Sequence, residues 1–477
     1  MVVVAPYVQP SEIVFSADSL DTKLVCWTTD AVAAEYEVRF GVTPACEQSA
    51  AVEIRPVHIA GRATLVNHIA TLSDLPLGTR IHYRVCVGHG DKARVIAEDS
   101  FQSRKRTDQH VKFAVAGDIA DGKASSRAVA YRIWKEKPEF LVAVGDIVYG
   151  KGLVGEYLSR FWPVFTQRED VTRWTGAPLL GSVPLYAVMG NHDALGLNLR
   201  TYKDGLGAFY FFHVPTNGPG FLPNHTRPAD FSAKSEVTNL PGPTPLLGAP
   251  EQIADFRRAV GASYPAVCFY SFDQGPVHVL CLDANTYVNL DNEALRQWIT
   301  KDLNESRAPW KLVMLHQPGF HVSKSHYEYQ RVRLLSPIFQ AGGVDIVFAG
   351  HVHNYQRSKP ISFVPGKLKA SSEVPGTFTV DEAYDGMRVR QPKGIIHIVT
   401  GGGGASLYDK GFTDRPEKWM HDKGGGPAIG ARVVSDRHSF SLVDAAPTQL
   451  RVRQLDDFGG LVDDFFIEKP GGTAKAP

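Results

Sequence analysis

The spacing of hydrophobic and polar positions changes once along the chain. Up to about residue 105, short alternating or apolar runs are separated by Gly, Pro, Asp and Asn, and no long helical period occurs. These runs cover residues 23–28, 34–40, 63–72 and 80–88. Such spacing between turn residues is typical of antiparallel strands. We therefore predict an all-β sandwich over residues 1–105, with a linker at 103–107.

Beyond the linker, the apolar runs become continuous instead of alternating. They cover residues 111–116, 140–144, 185–189, 277–282, 311–315, 344–349 and 394–400. Continuous runs of this length are typical of strands that are buried on both faces. Helical periods lie between some of them, at residues 125–137 and 292–303. The pattern predicts a layered α/β domain over residues 106–468.

Two segments depart from this pattern. Residues 195–265 are rich in Gly, Pro, Asn and Thr, and an aromatic group occurs at residues 209–212. A loop of this length inside a compact domain indicates a lid or a binding insertion. The tail, residues 469–477, has the composition of a disordered end.

Composition and charge exclude several classes of protein. The 477 residues are 43% hydrophobic and 21% charged, which suits a globular protein of two or three domains. With 51 Lys and Arg against 50 Asp and Glu, a net charge of +1 gives no general attraction for nucleic acid or anionic lipid. No apolar run approaches the length of a membrane span.

Cysteine usage and the first residues add little. The five cysteines are scattered and form no CxxC pair, which argues against a disulfide scaffold or a thiolate zinc site. The start of the chain has neither the basic segment nor the long apolar core of a signal peptide. We expect either a cytoplasmic protein or the processed form of an exported one, so the compartment stays open.

Five polar clusters follow five of the predicted buried strands. They are Gly117-Asp118, Gly145-Asp146 with Tyr149, Gly190-Asn191-His192-Asp193, His316, and Gly350-His351 with His353. Functional groups gather at the strand ends of an open α/β sheet. Carboxylate, imidazole, amide and phenol groups are oxygen and nitrogen ligands that suit iron, manganese or zinc. The five clusters in this order therefore predict a metal site.

The spacing within the clusters favours two metal ions. His351 and His353 share one face of an extended segment, and a slight splay lets each reach a different ion. An aspartate at a strand tip can bridge two cations about 3.5–4 Å apart. A glycine before the ligand allows a sharp turn and a crowded site. Gly401 to Gly404 lack the Lys-Ser/Thr of a nucleotide loop and predict close backbone approach to the metal centre.

The set of clusters resembles the calcineurin-like metallophosphoesterases, and Tyr149 in Gly-Asp-x-x-Tyr narrows the resemblance to the purple acid phosphatases. The resemblance extends to residues 270–278 and 394–401 and to the N-terminal β region. It implies an α/β (α+β) four-layer metallophosphoesterase sandwich, preceded by a fibronectin- or Ig-like all-β sandwich.

The family pattern also implies roles for individual residues. A ferric site would use Asp118, Asp146, Tyr149 and His353. A divalent site for Zn, Mn or Fe would use Asp146, Asn191, His316 and His351, with Asp146 bridging the two ions. His192 and His326 match substrate-side histidines of the family, and Asp193 would either orient His192 or cap a helix.

Two positions depart from the family pattern. The first motif is usually Asp-x-Gly, whereas Ala120 stands in the glycine position here. After the His-x-His pair the family often has Ala-Tyr-Glu-Arg, and this chain has Asn354-Tyr355-Gln356-Arg357. The metal-binding carboxylate of the first motif is intact, while the carboxylate after the histidine pair is lost.

The resemblance implies hydrolysis of small-molecule phosphate monoesters by in-line attack of a metal-bound hydroxide. A phosphodiesterase on the same two ions is an alternative, since the ligands alone do not separate the two activities. A non-catalytic phosphate- or ligand-binding module is an alternative from another class. That alternative predicts at least one lost ligand, and none is lost. The natural substrate, the divalent metal, the pH optimum and the oligomeric state stay open.

Overall fold

The structure of the chain is a computed structural model, and it describes residues 1–13, 19–32, 34–59, 61, 63–88, 90, 93–219, 246–422 and 426–469. Every structural statement below refers to these residues. None of their helices is long and apolar enough to cross a membrane.

The described part of residues 1–102 forms two antiparallel four-stranded sheets. In chain order the strands are β1 (Val2–Pro10), β2 (Asp21–Asp30), β3 (Tyr36–Gly41), β4 (Gln48–Ala50), β5 (Val52–Val57), β6 (Leu65–Leu75), β7 (Arg80–Val87) and β8 (Arg94–Gln102). The sheet orders are β1-β2-β6-β5 and β4-β3-β7-β8. Trp27, Phe40, Tyr83 and Phe101 fill the interior. Each predicted run overlaps a strand, so the all-β prediction is confirmed.

Two larger sheets form the rest of the fold. Their strands and the small hairpin β17–β18 are β9 (Val111–Ala116), β10 (Leu141–Val144), β11 (Leu185–Val188), β12 (Phe269–Gln274), β13 (Val277–Leu282), β14 (Trp310–Leu315), β15 (Ile346–Ala349), β16 (Tyr355–Ser358), β17 (Ile361–Pro365), β18 (Gly376–Val380), β19 (Ile396–Thr400), β20 (Gly430–Val434), β21 (Ser439–Ala445), β22 (Gln449–Asp456) and β23 (Leu461–Glu468). The orders are β11-β10-β9-β21-β22-β23 and β12-β13-β14-β15-β19-β16-β20.

Helices complete the layers. They are α1 (Ala124–Glu136), α2 (Val154–Glu156), α3 (Trp162–Phe165), α4 (Leu179–Ser182), α5 (Asn191–Ala194), α6 (Ala208–Phe211), α7 (Pro250–Val260), α8 (Ser263–Ala266), α9 (Glu293–Glu305) and α10 (Ser336–Ala341), with a π-helical turn at Tyr157–Phe161 and 3₁₀ turns at Arg331–Leu335 and Pro416–Lys418. The two predicted helices correspond to α1 and α9. The Asn292 side chain caps α9 by accepting from the Leu295 N–H at 3.0 Å.

Strand direction positions the polar clusters. Strands β9, β10 and β11 run parallel to one another, as do β13, β14, β15 and β19. The two sheets meet where the Gly117 N–H donates to the Thr400 carbonyl at 3.0 Å. Because the carboxyl ends of parallel strands share one edge of a sheet, the loops after β9, β10, β11, β14 and β15 converge on one place.

The sandwich packs closely against the described flanks of the 195–265 segment. The Tyr7 hydroxyl donates to the Phe211 carbonyl at 2.9 Å, and Asn67 Nδ2 donates to the Tyr210 carbonyl at 2.7 Å. The flanks thus carry helices α6 to α8 and brace the sandwich. The prediction of a lid or binding insertion falls partly on residues 220–245, which lie outside the described residues.

The first residue of the predicted tail, Lys469, has contacts with the rest of the chain. Lys469, assigned to the disordered tail, donates from its backbone N–H to the Thr448 carbonyl and from Nζ to Asp345. Residues 470–477 lie outside the described residues, and the domain limits 1–105 and 106–468 stay predictions.

Candidate metal centre

Two groups of buried side chains overlap where the strand ends converge. One contains Asp118, Asp146 and His353, and the other contains Asp146, His316 and His351. Within each group, one potential ligand atom per residue lies within 4.8 Å of the others. Asp146 belongs to both groups, which is the arrangement that a bridging ligand requires.

The remaining two predicted ligands complete these groups. The Tyr149 hydroxyl lies 2.7 Å from Asp118 Oδ1 and 2.8 Å from His353 Nε2. Asn191 Oδ1 lies 3.1 Å from His316 Nε2, which is also 3.2 Å from Asp146 Oδ2. The structure thus brings all seven sequence-predicted ligand residues together.

Backbone contacts orient two of the imidazoles. His316 Nδ1 donates to the Val144 carbonyl at 2.8 Å, and His353 Nδ1 donates to the Ser406 carbonyl at 2.7 Å. Each contact leaves Nε2 facing the carboxylates, as metal-binding histidines require. His351 Nε2 is buried and has no hydrogen-bond partner. Buried polar atoms in proteins almost always have a partner, and the described residues supply none for this nitrogen.

Three of these residues have strained backbones. The φ angle is 62° at Asp118, 47° at Asp146 and 67° at His351. This left-handed region is costly for residues other than glycine, at about 1–3 kcal/mol each, and such residues concentrate at functional sites. The left-handed backbone conformation turns each side chain away from the end of its strand and toward the centre.

Glycines make room for the crowded side chains. A Cβ at Gly145, where φ is +80°, would lie 2.4 Å from His316 Nδ1. A Cβ at Gly401 would lie 2.8 Å from Asp118 Oδ2. Both separations are too short for non-bonded atoms. The geometry therefore agrees with the expected close backbone approach of the 401–404 segment.

The buried charges of the centre shift one another's pKa values. Burial favours the neutral form of Asp146, yet His316, the largest opposing influence, holds the pKa of Asp146 below its usual value. Burial opposes protonation of His316, but Asp146 raises its pKa to about 9. Burial, followed by the charges of Asp118 and Asp146, raises the pKa of the Tyr149 phenol well above its ordinary value.

These donors fit two cations. Without metal, protonated His316 offsets carboxylate charge and the neutral Tyr149 phenol keeps its proton, and cations would take the place of these protons on binding. The set mixes carboxylate, phenol, amide and imidazole donors, which suits iron, manganese or zinc. The unpartnered His351 Nε2 points to the same conclusion.

Two further histidines lie beside this centre. His192 is half-buried, its ring centroid lies 4.7 Å from that of Tyr149, and its Nδ1 donates to the Gly150 carbonyl at 3.0 Å. His326 is half-buried, with its ring centroid 4.2 Å from that of His351. Both predicted substrate-side histidines therefore border the centre.

Asp193, expected either to orient His192 or to cap a helix, contacts backbone groups and a tyrosine hydroxyl, and none of its hydrogen bonds among the described residues reaches the His192 ring. Its buried carboxylate accepts from the backbone N–H groups of Ile147 and Gly190 at 3.0–3.2 Å and from the Tyr157 hydroxyl at 2.9 Å. The bond to Gly190 caps the start of α5. The carboxylate thus ties the loop of Asp146 to the loop of Asn191.

The two departures from the family pattern have local explanations. Ala120 is fully buried, and its carbonyl accepts from the Tyr149 N–H at 3.0 Å, so the methyl group fits. Gln356, in place of the usual carboxylate, donates to Ser323 Oγ at 2.6 Å and accepts from the Val322 N–H at 2.7 Å. It therefore holds the loop after β14 through its amide.

Sequence reasoning missed several contacts around the centre. Tyr408 stacks on His353 with centroids 3.9 Å apart. Asn285 donates to the Gly190 carbonyl at 3.2 Å and accepts from Gln317 at 2.7 Å. Only the position of Gln317 next to His316 offered a signal, because the other residues come from segments without a recognisable motif.

Comparison with known proteins identifies the class. The calcineurin-like phosphoesterase family model matches residues 111–355, just over half of the chain, and this range contains all seven predicted ligand residues. The chain therefore belongs to the calcineurin-like phosphoesterase family.

Within that family, the similarity is to purple acid phosphatases, and this sequence-based identification is confirmed. Purple acid phosphatase 23 of Arabidopsis thaliana is 25% identical over 382 residues, covering 74% of this chain and 66% of the relative. The phosphoenolpyruvate phosphatase of Allium cepa is 24% identical over 380 residues, covering 77% of this chain and 66% of the relative. The chain thus spans about two thirds of the length of these relatives.

A solved structure supports the fold. The purple acid phosphatase from yellow lupin (Lupinus luteus) seeds matches with a TM-score of 0.63 and 17% identity, covering 98% of this chain and 74% of that chain. The four-layer fold preceded by a β-rich region is therefore confirmed. Membership of the family implies a dinuclear metal centre, in agreement with the two overlapping groups of ligands.

Proposed function

We propose that this chain hydrolyses small-molecule phosphate monoesters at two metal ions. The observation that carries the proposal is that Asp146 belongs to both buried groups of potential ligands. Fe(III) would be held by Asp118, Asp146, Tyr149 and His353. A divalent Zn, Mn or Fe ion would be held by Asp146, Asn191, His316 and His351.

The donor types distinguish the two positions. Tyr149 adds a hard anionic phenolate to the first position, which favours Fe(III). Asn191 adds a neutral amide to the second, which suits an ion of lower charge. When bound, the two ions would neutralise phosphate charge and make a water nucleophilic near neutral pH.

His192 and His326, which border the metal centre, act on the substrate. His192 Nδ1 donates to the Gly150 carbonyl, so Nε2 is the nitrogen available to a phosphate oxygen or to the leaving oxygen. His326 lies against His351 and can meet the phosphate from another side. No phosphorylated residue is required, because water is the nucleophile.

Initial rates with three substrates test the proposal: p-nitrophenyl phosphate, bis-p-nitrophenyl phosphate and phosphoenolpyruvate. The last is included because of the name of the Allium cepa relative. The protein is loaded with iron plus zinc or manganese. Asp146→Asn should lose turnover. Asp345→Asn is the matched control, since this carboxylate is largely buried at the opposite end of β15.

Each result has a defined meaning. Monoester turnover that disappears in Asp146→Asn but persists in Asp345→Asn supports the proposal. Faster turnover of the diester would reassign the activity to a phosphodiesterase. Metal binding without turnover of any substrate would favour a non-catalytic binding module.

A further inference from the structure

The loop that carries His326 has no secondary structure of its own. The segment 316–330, all of it described, contains no helix or strand. His326 nevertheless has a φ angle of 60°, in the left-handed region, and its ring lies against that of His351. A strained residue in an irregular segment keeps its position only where the surroundings hold it. The question is therefore which contacts fix this loop.

A buried arginine lies beneath the loop. Arg333 is 1% exposed, and its Nε donates to the Gly319 carbonyl at 2.7 Å. Its guanidinium carbon lies 4.8 Å from the ring centroid of Phe320 and 5.5 Å from that of Phe378. Burying a guanidinium is costly unless its charge and N–H groups are satisfied. This arginine thus holds the start of the loop at Gly319 and Phe320.

Asp422 connects this arginine to the residue next to His326. The Asp422 carboxylate accepts from Arg333 Nη1 at 2.7 Å and from Nη2 at 3.2 Å, a bidentate pairing. The same carboxylate accepts from the Tyr327 hydroxyl at 2.6 Å. Tyr327 is 8% exposed, so the bond is shielded from water. The end of the loop is therefore fixed to the same ion pair as its start.

A second contact restrains the backbone of His326 itself. His321 Nε2 lies 3.3 Å from the His326 carbonyl, and the His321 and Tyr327 rings meet edge to face at 5.8 Å. His326 is thus flanked by one residue bonded to Asp422 and held at its own carbonyl by a buried ring. Its side chain is left to point at the metal centre.

We propose that Arg333, Asp422 and Tyr327 are positioning residues that hold His326 in place for a bound phosphate. The proposal rests on the function proposed above and adds residues that no motif contains. These three residues do not touch the metal ligands, so their effect on the phosphate is exerted through His326.

The first test isolates the Tyr327 hydroxyl. Tyr327→Phe keeps the ring and removes one hydrogen bond to Asp422. The matched control is Tyr384→Phe, because Tyr384 is 6% exposed and its hydroxyl donates one bond, at 2.8 Å, to the Phe466 carbonyl. Hydrogen exchange of the 317–330 peptide is measured in the metal-free protein. We expect exchange about threefold faster or more in Tyr327→Phe and unchanged in Tyr384→Phe. Equal exchange in all three proteins would overturn the proposal.

The second test measures whether the Tyr327 hydroxyl affects turnover through His326. Turnover of p-nitrophenyl phosphate is measured for Tyr327→Phe, His326→Ala and the double variant. We expect Tyr327→Phe to lower kcat/KM about 3- to 10-fold alone and less than about 2-fold in the His326→Ala background. Equal factors in both backgrounds would mean a merely structural role and would overturn the proposal.

The positioning role can also be tested if the proposed hydrolysis is not found. If the metal-loaded parent protein turns over no ester, the same cycle is repeated with the dissociation constant for inorganic phosphate, measured by calorimetry. A loss of affinity in Tyr327→Phe that disappears in the His326→Ala background supports the positioning role without catalysis. Equal losses in both backgrounds, or no loss in either, overturn it.

Discussion

The role of Asp193 gives a prediction whose size follows from the structure. In Asp193→Asn one carboxylate oxygen becomes an NH₂ group. If that group replaces Oδ2, the N–H groups of Ile147 at 3.1 Å and Gly190 at 3.0 Å face a donor instead of an acceptor. A buried donor without an acceptor costs about 1–3 kcal/mol. Two such donors give an expected loss of about 2–6 kcal/mol, or about 3–8 °C in the thermal midpoint of a domain the size of residues 106–468.

The assay combines thermal unfolding with metal analysis. Burial, and then the charge of Asp146, raise the pKa of Asp193 to about 7, so unfolding is followed at about pH 8.5, where the carboxyl is ionised. The Asp193→Asn protein should also bind less metal, since the loops of Asp146 and Asn191 are released. His192→Asn is the comparison variant, which should keep its metal and its midpoint but lose turnover. An Asp193→Asn protein with an unchanged midpoint, full metal content and lost turnover would refute the reasoning. That result would mean that Asp193 acts on turnover through His192.

Three further predictions concern the centre and one distant site. Tyr149→Phe should retain the divalent ion but lose the visible absorbance of an iron phenolate, and a spectrum with the absorbance intact would exclude Tyr149 as the iron ligand. Gly145→Ala should lower metal content by at least half, because its Cβ would lie 2.4 Å from a ligand histidine, and full metal content would contradict this. Despite its burial, His278 has a pKa raised to about 9 by Asp273 and Asp302, so its stabilisation is full below about pH 6.5 and is lost as the pH rises through 9. We expect urea unfolding to show a loss of about 3 kcal/mol over that window, and a His278→Asn protein with the same pH dependence would contradict the assignment.

The sequence predicted most of the fold because its strands are marked by burial. Continuous apolar runs locate strands at which both faces are covered, and β9 and β13 agree with the predicted runs at both ends. The runs at 140–144 and 394–400 begin before their strands, since apolar residues continue into the flanking turns. The sheet orders were not predicted, because β21 inserts beside β9 from more than 300 residues away.

The site was predictable where a side chain follows a strand directly. Asp118, Asp146, Asn191 and the two histidines of the His-x-His motif are all of this kind. The supporting contacts were not predictable. Tyr408 stacks on His353, and Asp422 binds Tyr327 beside His326; both come from irregular segments, and nothing local in the chain marks their partners. The role of Asp193 was left open because only the structure shows which donors face its carboxylate.

The number of metal ions bound per chain tests the central claim most directly. The metal-free protein is titrated with zinc alone and with iron plus zinc, and bound metal is counted for the parent protein, Asp146→Asn and Asp345→Asn. The shared position of Asp146 predicts two ions per chain in the parent and in Asp345→Asn, and fewer than two in Asp146→Asn. A parent protein that binds one ion or none, or an Asp146→Asn protein that still binds two, would contradict the account.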